Sequence, residues 1–160
     1  MKEVKIQSKL YVFETLTDTP KDIQNLMAAA VEARNNAYAP YSRFHVGTAL
    51  LLDNGKIISG SNQENASYPS GLCAERTAIF SAGANYPKTK ILKIAITAAS
   101  QIQKTDKPIP PCGACRQSIA EYENKQQQAI EIYFMGEIGT VMKSNSLANL
   151  LPFGFNSANL

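Results

Sequence analysis

Three cysteines, at positions 73, 112 and 115, constrain this chain more than any other feature. Two of them form Pro111-Cys112-Gly113-Ala114-Cys115, a Cys-x-x-Cys at the head of a predicted helix. Cys73 opens another predicted helix and is followed two residues later by Glu75. An odd cysteine count argues against a disulfide framework. Helix N-termini favour thiolates through the dipole and the free N–H groups, and thiolates are the form that binds zinc. Three of them leave one tetrahedral position for water, the arrangement of a catalytic rather than a structural centre. A carboxylate near such a metal but not on it can relay the proton of water, and Glu75 is the candidate. Arg76 stands beside it, where hydrogen bonds to the sulfurs would offset the net negative charge of zinc with three thiolates. The simpler readings are a structural zinc knot, buried thiols with a stray third, or a thioredoxin-like redox pair. The redox pair leaves both the third cysteine and Glu75 without a purpose.

A chain of 160 residues fits one domain and buries a core without disulfides. The hydrophobic fraction of 44% and charged fraction of 18% are those of a globular protein. The longest apolar stretches are short and interrupted, so no membrane span is expected. Residues 1–20 lack the features of a signal peptide, and a cytoplasmic location is the expectation. Sixteen basic and 13 acidic residues give a net charge of +3. The basic residues form no run and no helical stripe, which disfavours a nucleic-acid polymer as partner.

Along the chain, residues 1–19 read as an N-terminal extension, extended over 1–16, and residues 20–160 as the domain proper. Thr19 as cap and Pro20 at the first helical position begin a helix whose pattern stops at Ala39-Pro40. Its apolar face carries Ile23, Leu26, Met27, Ala30 and Val31. Phe44–Leu52 and Lys56–Ser61 read as strands joined by the Asp53-Asn54-Gly55 turn. A polar loop (62–71) leads to a helix over Cys73–Ala82 and a buried strand over Ile91–Ala98. After the loop 100–111 come a helix over Gly113–Asn124 and a strand over Ala129–Met135. A weaker strand is expected around Thr140–Met142, and Ser146 caps a last short helix, Leu147–Leu151, stopped by Pro152. This order predicts an α/β fold, a sheet covered by helices on both faces.

Three segments carry a family resemblance: Asn62-Gln-Glu-Asn-Ala-Ser-Tyr68, Cys73-Ala-Glu-Arg-Thr-Ala78 and Pro111-Cys-Gly-Ala-Cys-Arg-Gln117. Together they resemble the signature of the small homotetrameric zinc-dependent cytidine deaminases. Phe44-His-Val-Gly-Thr-Ala-Leu50 is similar to that family's first strand and Leu150-Leu-Pro152 to its C-terminal element. The resemblance implies a three-layer α/β/α sandwich with a mixed central sheet, and Zn2+ held by Cys73, Cys112 and Cys115, with Glu75 as proton shuttle. It implies that Asn62 and Glu64 bind the ribose 3′-hydroxyl, that Phe44 stacks near the pyrimidine, and that the backbone at Cys73-Ala74 reads the base. Phe155 matches a C-terminal Phe that reaches a neighbouring subunit's site, and Phe153 competes for that role. The implied reaction is attack of zinc-bound hydroxide at C4 of free cytidine and deoxycytidine, in pyrimidine salvage, by a homotetramer.

Plainer readings stand beside these. Phe44 suits core packing, Asn62 and Glu64 loop capping, Arg76 a surface helix position and Phe155 tail packing. His45, the single histidine, reads as structural. The sequence departs from the family's pattern in a longer N-terminus, an extended 100–110 loop, and His45 and Thr48 in the first strand. Three other functions compete: a blasticidin-type deaminase, disfavoured by Asn62 and Glu64; an inactive zinc-binding module, disfavoured by Glu75; and a polynucleotide-editing deaminase, which would carry a basic surface and usually a His in place of Cys73.

Overall fold

The computed structural model describes residues 1–160. Six strands build one sheet: β1 (Tyr11–Phe13), β2 (Phe44–Leu52), β3 (Ile57–Ser61), β4 (Ile91–Ser100), β5 (Glu131–Met135) and β6 (Val141–Ser144). Their spatial order is β1-β6-β5-β4-β2-β3. Only β4 and β5 run parallel; the other pairs are antiparallel. The parallel pair requires a crossover, and the chain supplies it as helix α3 (Gly113–Gln126). Helices α1 (Lys21–Asn35) and α2 (Ala74–Asn85) complete the three layers.

Side-chain alternation assigns the two faces. Leu50, Leu52, Ile94, Ile96, Ile132 and Phe134 point to the layer that packs with Ala78, Ile79 and Ile119 of α2 and α3. The intervening residues Ala49, Ala95, Tyr133 and Met135 meet Ile23, Leu26, Met27 and Ala30 of α1 on the other face. Both faces of the central strands are therefore buried, as their nearly continuous apolar runs require.

Two glycines let helices approach the sheet. A Cβ on Gly47 would lie 2.0 Å from the Ala30 carbonyl oxygen in α1. One on Gly60 would lie 2.7 Å from the Ala74 carbonyl oxygen and 2.6 Å from the Ala78 nitrogen in α2. Gly60 thus sets the depth of the helix turn that carries Cys73 and Glu75.

The expected helices and central strands form, with differences at their ends. Thr19 does not cap α1: its hydroxyl donates to the Leu16 carbonyl at 2.7 Å, closing the preceding 3-10 turn. Pro20 is the N-cap, and its carbonyl accepts from both Ile23 and Gln24. The helix stops at Asn35, short of Pro40, because Tyr38 and Glu64 exchange backbone hydrogen bonds with the 62–64 segment and Tyr38 respectively. Helix α2 runs on to Asn85, three residues beyond the predicted Ala82. The weak strand is β6, shifted to Val141–Ser144, and within the extended N-terminal segment β1 pairs with it at the sheet edge. Ser146 does act as a cap, accepting from the Ala148 N–H, but the turn it opens is a short 3-10 segment, Leu147–Asn149.

Candidate metal centre and adjoining cavity

The parallel crossover brings the starts of α2 and α3 together. Cys73 and Cys112 are the N-cap residues of these helices, and Cys115 lies in the first turn of α3. Neither N-cap thiol caps its own helix, so both sulfurs stay available to each other. Sγ of Cys112 lies 3.8 Å from that of Cys73 and 3.4 Å from that of Cys115, and all three lie within 4.8 Å of one another. A tetrahedral zinc–thiolate site, with zinc–sulfur bonds of about 2.3 Å, places its sulfurs about 3.8 Å apart. The donor set therefore fits zinc in chemistry and in spacing. All three thiols are free, and their exposure falls from Cys112 through Cys73 to buried Cys115.

The electrostatics favour a thiolate at Cys73. Its pKa is lowered to about 5, first by a hydrogen bond from the Cys115 thiol and also by the Arg76 guanidinium, against the opposing effect of burial. The shared proton drives Cys115 in the opposite direction, upward. Arg76 Nη2 donates to Cys73 Sγ at 3.7 Å, and its Nε is buried without a partner. Glu75 is only 4% exposed, and burial pushes its carboxyl up to about 6, with the Cys73 thiolate adding to the effect.

Beside Cys73 and Arg76 opens a cavity of about 430 Å³. Asn62 and Glu64 also line it, with Tyr41 and Tyr68 on the same wall. The two tyrosine rings stand 6.1 Å apart and tilted. Glu64 Oε2 accepts from the backbone N–H groups of Tyr41 at 2.9 Å and Ser42 at 3.2 Å. This bracing stands next to Arg43, whose φ of 54° is left-handed and strained for a residue with a side chain. Asn62 also anchors β2: its Oδ1 accepts from Val46 N–H at 2.8 Å and its Nδ2 donates one of its two hydrogens to the Phe44 carbonyl at 2.9 Å.

Of the residues singled out in the sequence, Cys73, Cys112 and Cys115 converge, and Asn62, Glu64, Cys73 and Arg76 share the cavity. Ala74 is fully buried behind Cys73. Phe44 is half-buried on β2 and does not line the cavity. Phe155 is 57% exposed and Phe153 86% exposed; both line a separate groove with Ile6 and Leu151, away from this chain's own thiols.

Sequence reasoning passed over Tyr41, Ser42 and Arg116. The first two were legible only as the approach to Phe44, because their link to Glu64 spans more than 20 residues. Arg116 follows Cys115 within the quoted motif. Its Nε donates to the Pro111 carbonyl and its Nη1 to the Leu150 carbonyl, each at 2.8 Å.

Comparisons with known proteins point to one family. A family model described as "Cytidine and deoxycytidylate deaminase zinc-binding region" matches residues 20–130. A protein named cytidine deaminase from Halalkalibacterium halodurans is 40% identical over 139 residues, covering 87% of this chain and 98% of its own. Another of that name, from Sporosarcina psychrophila, is 38% identical, covering 87% and 95%. The crystal structure of cytidine deaminase from Burkholderia pseudomallei superposes with a TM-score of 0.70 at 41% identity, covering 82% of this chain and 98% of that one.

Proposed function

The chain belongs to the cytidine deaminase family of zinc-dependent hydrolases, and on that footing we propose that it deaminates free cytidine and deoxycytidine, with Cys73, Cys112 and Cys115 holding the metal and Glu75 moving the protons. The observation that carries this reading is the meeting of three thiol sulfurs within 4.8 Å beside a carboxyl buried and raised to about 6.

When bound, zinc supplies Lewis-acid chemistry that makes water acidic near neutral pH. Glu75 takes the proton of the attacking water and delivers it to N3 of the pyrimidine as the new C4–O bond forms. It then carries the remaining hydroxyl proton to the C4 amino group, the C4–N bond breaks, and ammonia leaves. Uridine or deoxyuridine remains, so water and substrate are fully accounted for. A carboxyl poised near 6 suits both halves, since it accepts and returns a proton at small cost close to neutrality. Arg76 offsets the charge of the thiolates. Glu64 and Asn62 hold the ribose 3′-hydroxyl and the backbone at Ala74 reads the base edge, while Phe44, outside the cavity lining, acts on the ring from the start of β2 that Asn62 anchors. With no 2′-hydroxyl contact required, both nucleosides are substrates.

Phe155 lies outside this chain's own cavity, which supports its reaching a neighbouring subunit in a homotetramer; Phe153, more exposed, is the competing residue. No helix is long and apolar enough to cross a membrane. The three free thiols suit a reducing compartment, which supports pyrimidine salvage in the cytoplasm.

The test is the loss of ultraviolet absorbance when the purified, zinc-loaded protein meets cytidine or deoxycytidine, run beside Glu75→Ala. Turnover by the parent and none by the variant, with equal zinc in both, is the expected result. A zinc-loaded parent that leaves both nucleosides untouched defeats the substrate assignment, and other aminated bases then come first. A protein named blasticidin-S deaminase from Bacillus cereus is 25% identical over 144 residues, and blasticidin S is the first alternative substrate to try.

A further inference from the structure

Residues from both ends of the chain meet around helix α3 and the turn that carries Cys112 and Cys115. Helix α3, with Cys112 as its N-cap, grips the C-terminal segment with two charged side chains. Glu123 Oε1 accepts from the Leu147 N–H at 2.8 Å, and its Oε2 accepts from the Ser146 hydroxyl at 3.0 Å. At the other end of the helix, the Arg116 guanidinium spans the carbonyls of Pro111 and Leu150. Pro111 directly precedes the ligand Cys112, and Arg116 directly follows Cys115. One planar group therefore ties the turn that carries two thiols to a segment 34 residues away.

The N-terminal arm forms the outer layer of the same assembly. Strand β1 pairs with β6, the Lys9 N–H donates to Asn149 Oδ1 at 3.1 Å, and Ile6 lies in the groove with Leu147, Leu151, Phe153 and Phe155. Residues 1–19 and 131–160 both lie outside the matched family segment. The brace thus joins Arg116 and Glu123 of the thiol-bearing helix α3 to segments that hold no thiol.

We propose that Arg116 is a positioning residue that locks the Cys112–Cys115 turn onto the C-terminal segment, with the N-terminal arm backing that segment, so that this brace sets how slowly the three thiols release their metal. The proposal rests on the reading of these thiols as zinc ligands. An arginine suits the task because its rigid fork satisfies two carbonyl acceptors at fixed separation, which a lysine ammonium on a flexible stem does less well. A thiol pair held at 3.4 Å by its turn, close to the spacing zinc imposes, needs little reorganisation to keep the metal; a loosened turn needs more.

The experiment uses the full-length, zinc-loaded chain. Zinc stoichiometry is measured first, then the rate of zinc transfer to the chelator 4-(2-pyridylazo)resorcinol, for wild type, Arg116→Ala and Arg116→Lys. Release from Arg116→Ala is expected to be about 10- to 100-fold faster, the range typical of losing a partner that orients a metal ligand, with Arg116→Lys between it and wild type. Amide exchange at Leu150 and Leu151 is expected to rise in parallel. A lowered melting temperature with wild-type zinc release marks a purely structural role and overturns the proposal. If Arg116→Ala does not fold, Arg116→Lys and a chain lacking residues 2–10 carry the test, and wild-type release in both overturns it. A wild-type chain that takes up no zinc instead overturns the metal reading itself.

Discussion

Arg76 Nη2 lies 3.7 Å from the sulfur of Cys73, three residues before it at the start of α2. The pair places a permanent cation against the thiolate that opens the helix. It helps hold the Cys73 pKa near 5, after the hydrogen bond from Cys115.

Arg76→Gln removes that cation and raises the Cys73 pKa. Protons then compete with the metal at a higher pH. Zinc affinity is expected to fall about 10- to 100-fold, and the midpoint of acid-induced zinc release to move upward. Chelator competition across a pH series measures both. An unmoved midpoint would sink the electrostatic role of Arg76.

Glu75 is an expense to the metal-free fold. Its pKa rises from 4.5 to about 6 on burial, so the folded state holds a proton that the unfolded state has released. The penalty appears as pH rises from 4.5 towards 6 and stays constant above, at about 2 kcal/mol. Glu75→Gln is therefore expected to abolish turnover while stabilising the metal-free chain at pH 7 by that order, and to do little below pH 4.5. Urea denaturation of chelated protein at both pH values is the check.

Gly60→Ala presses a methyl against the α2 backbone at contacts of 2.6 and 2.7 Å, where no flexible side chain can yield. Overpacking of this kind costs about 1–3 kcal/mol. Because the displaced turn carries Cys73 and Glu75 while Cys112 and Cys115 ride on α3, zinc retention is expected to weaken along with stability. Thermal melting and zinc content of the same preparation test the link between them.

Asn62→Ala leaves the Phe44 carbonyl and the Val46 N–H without their side-chain partners. The expected loss is about 1–3 kcal/mol, with a raised KM for cytidine because the start of β2 and its Phe44 lose their anchor. Wild-type stability with raised KM would mean that Asn62 acts on substrate alone.

At the far side of the molecule, burial pushes the Glu131 carboxyl up. Hydrogen bonds from Lys143 and Tyr133 and the charges of Lys143 and Lys93 outweigh it, leaving the pKa below 4.5. The folded state thus releases this proton more readily than the unfolded one, and the resulting stabilisation is complete above 4.5 and lost as pH falls through the depressed value. Glu131→Gln is expected to destabilise the chain at neutral pH and to match wild type in strong acid. Melting temperatures across the acid range check this.

Much of the metal centre was legible because its grammar is local. A cysteine at a helix start, a Cys-x-x-Cys after proline and a glutamate two residues after Cys73 each state their chemistry within a few residues. The helices and central strands were legible for a similar reason: side-chain periodicity is a property of neighbours. The end of α1 was not, because backbone hydrogen bonds between Tyr38 and the 62–64 segment halt it before proline does. Thr19 was misassigned because the hydroxyl had a nearer acceptor in the turn behind it than in the helix ahead.

By itself, the sequence determined which residues could hold a metal and most of the segments that become helix or strand, since both follow from local preferences and the spacing of apolar residues. Only the tertiary structure decided that β5 lies parallel beside β4, that the starts of α2 and α3 therefore meet, and that Glu64 braces the Tyr41–Ser42 turn while Arg116 reaches Leu150. Those relationships join residues tens of positions apart. They are selected by which faces bury together and by which buried polar groups find partners, a competition settled across the whole chain at once.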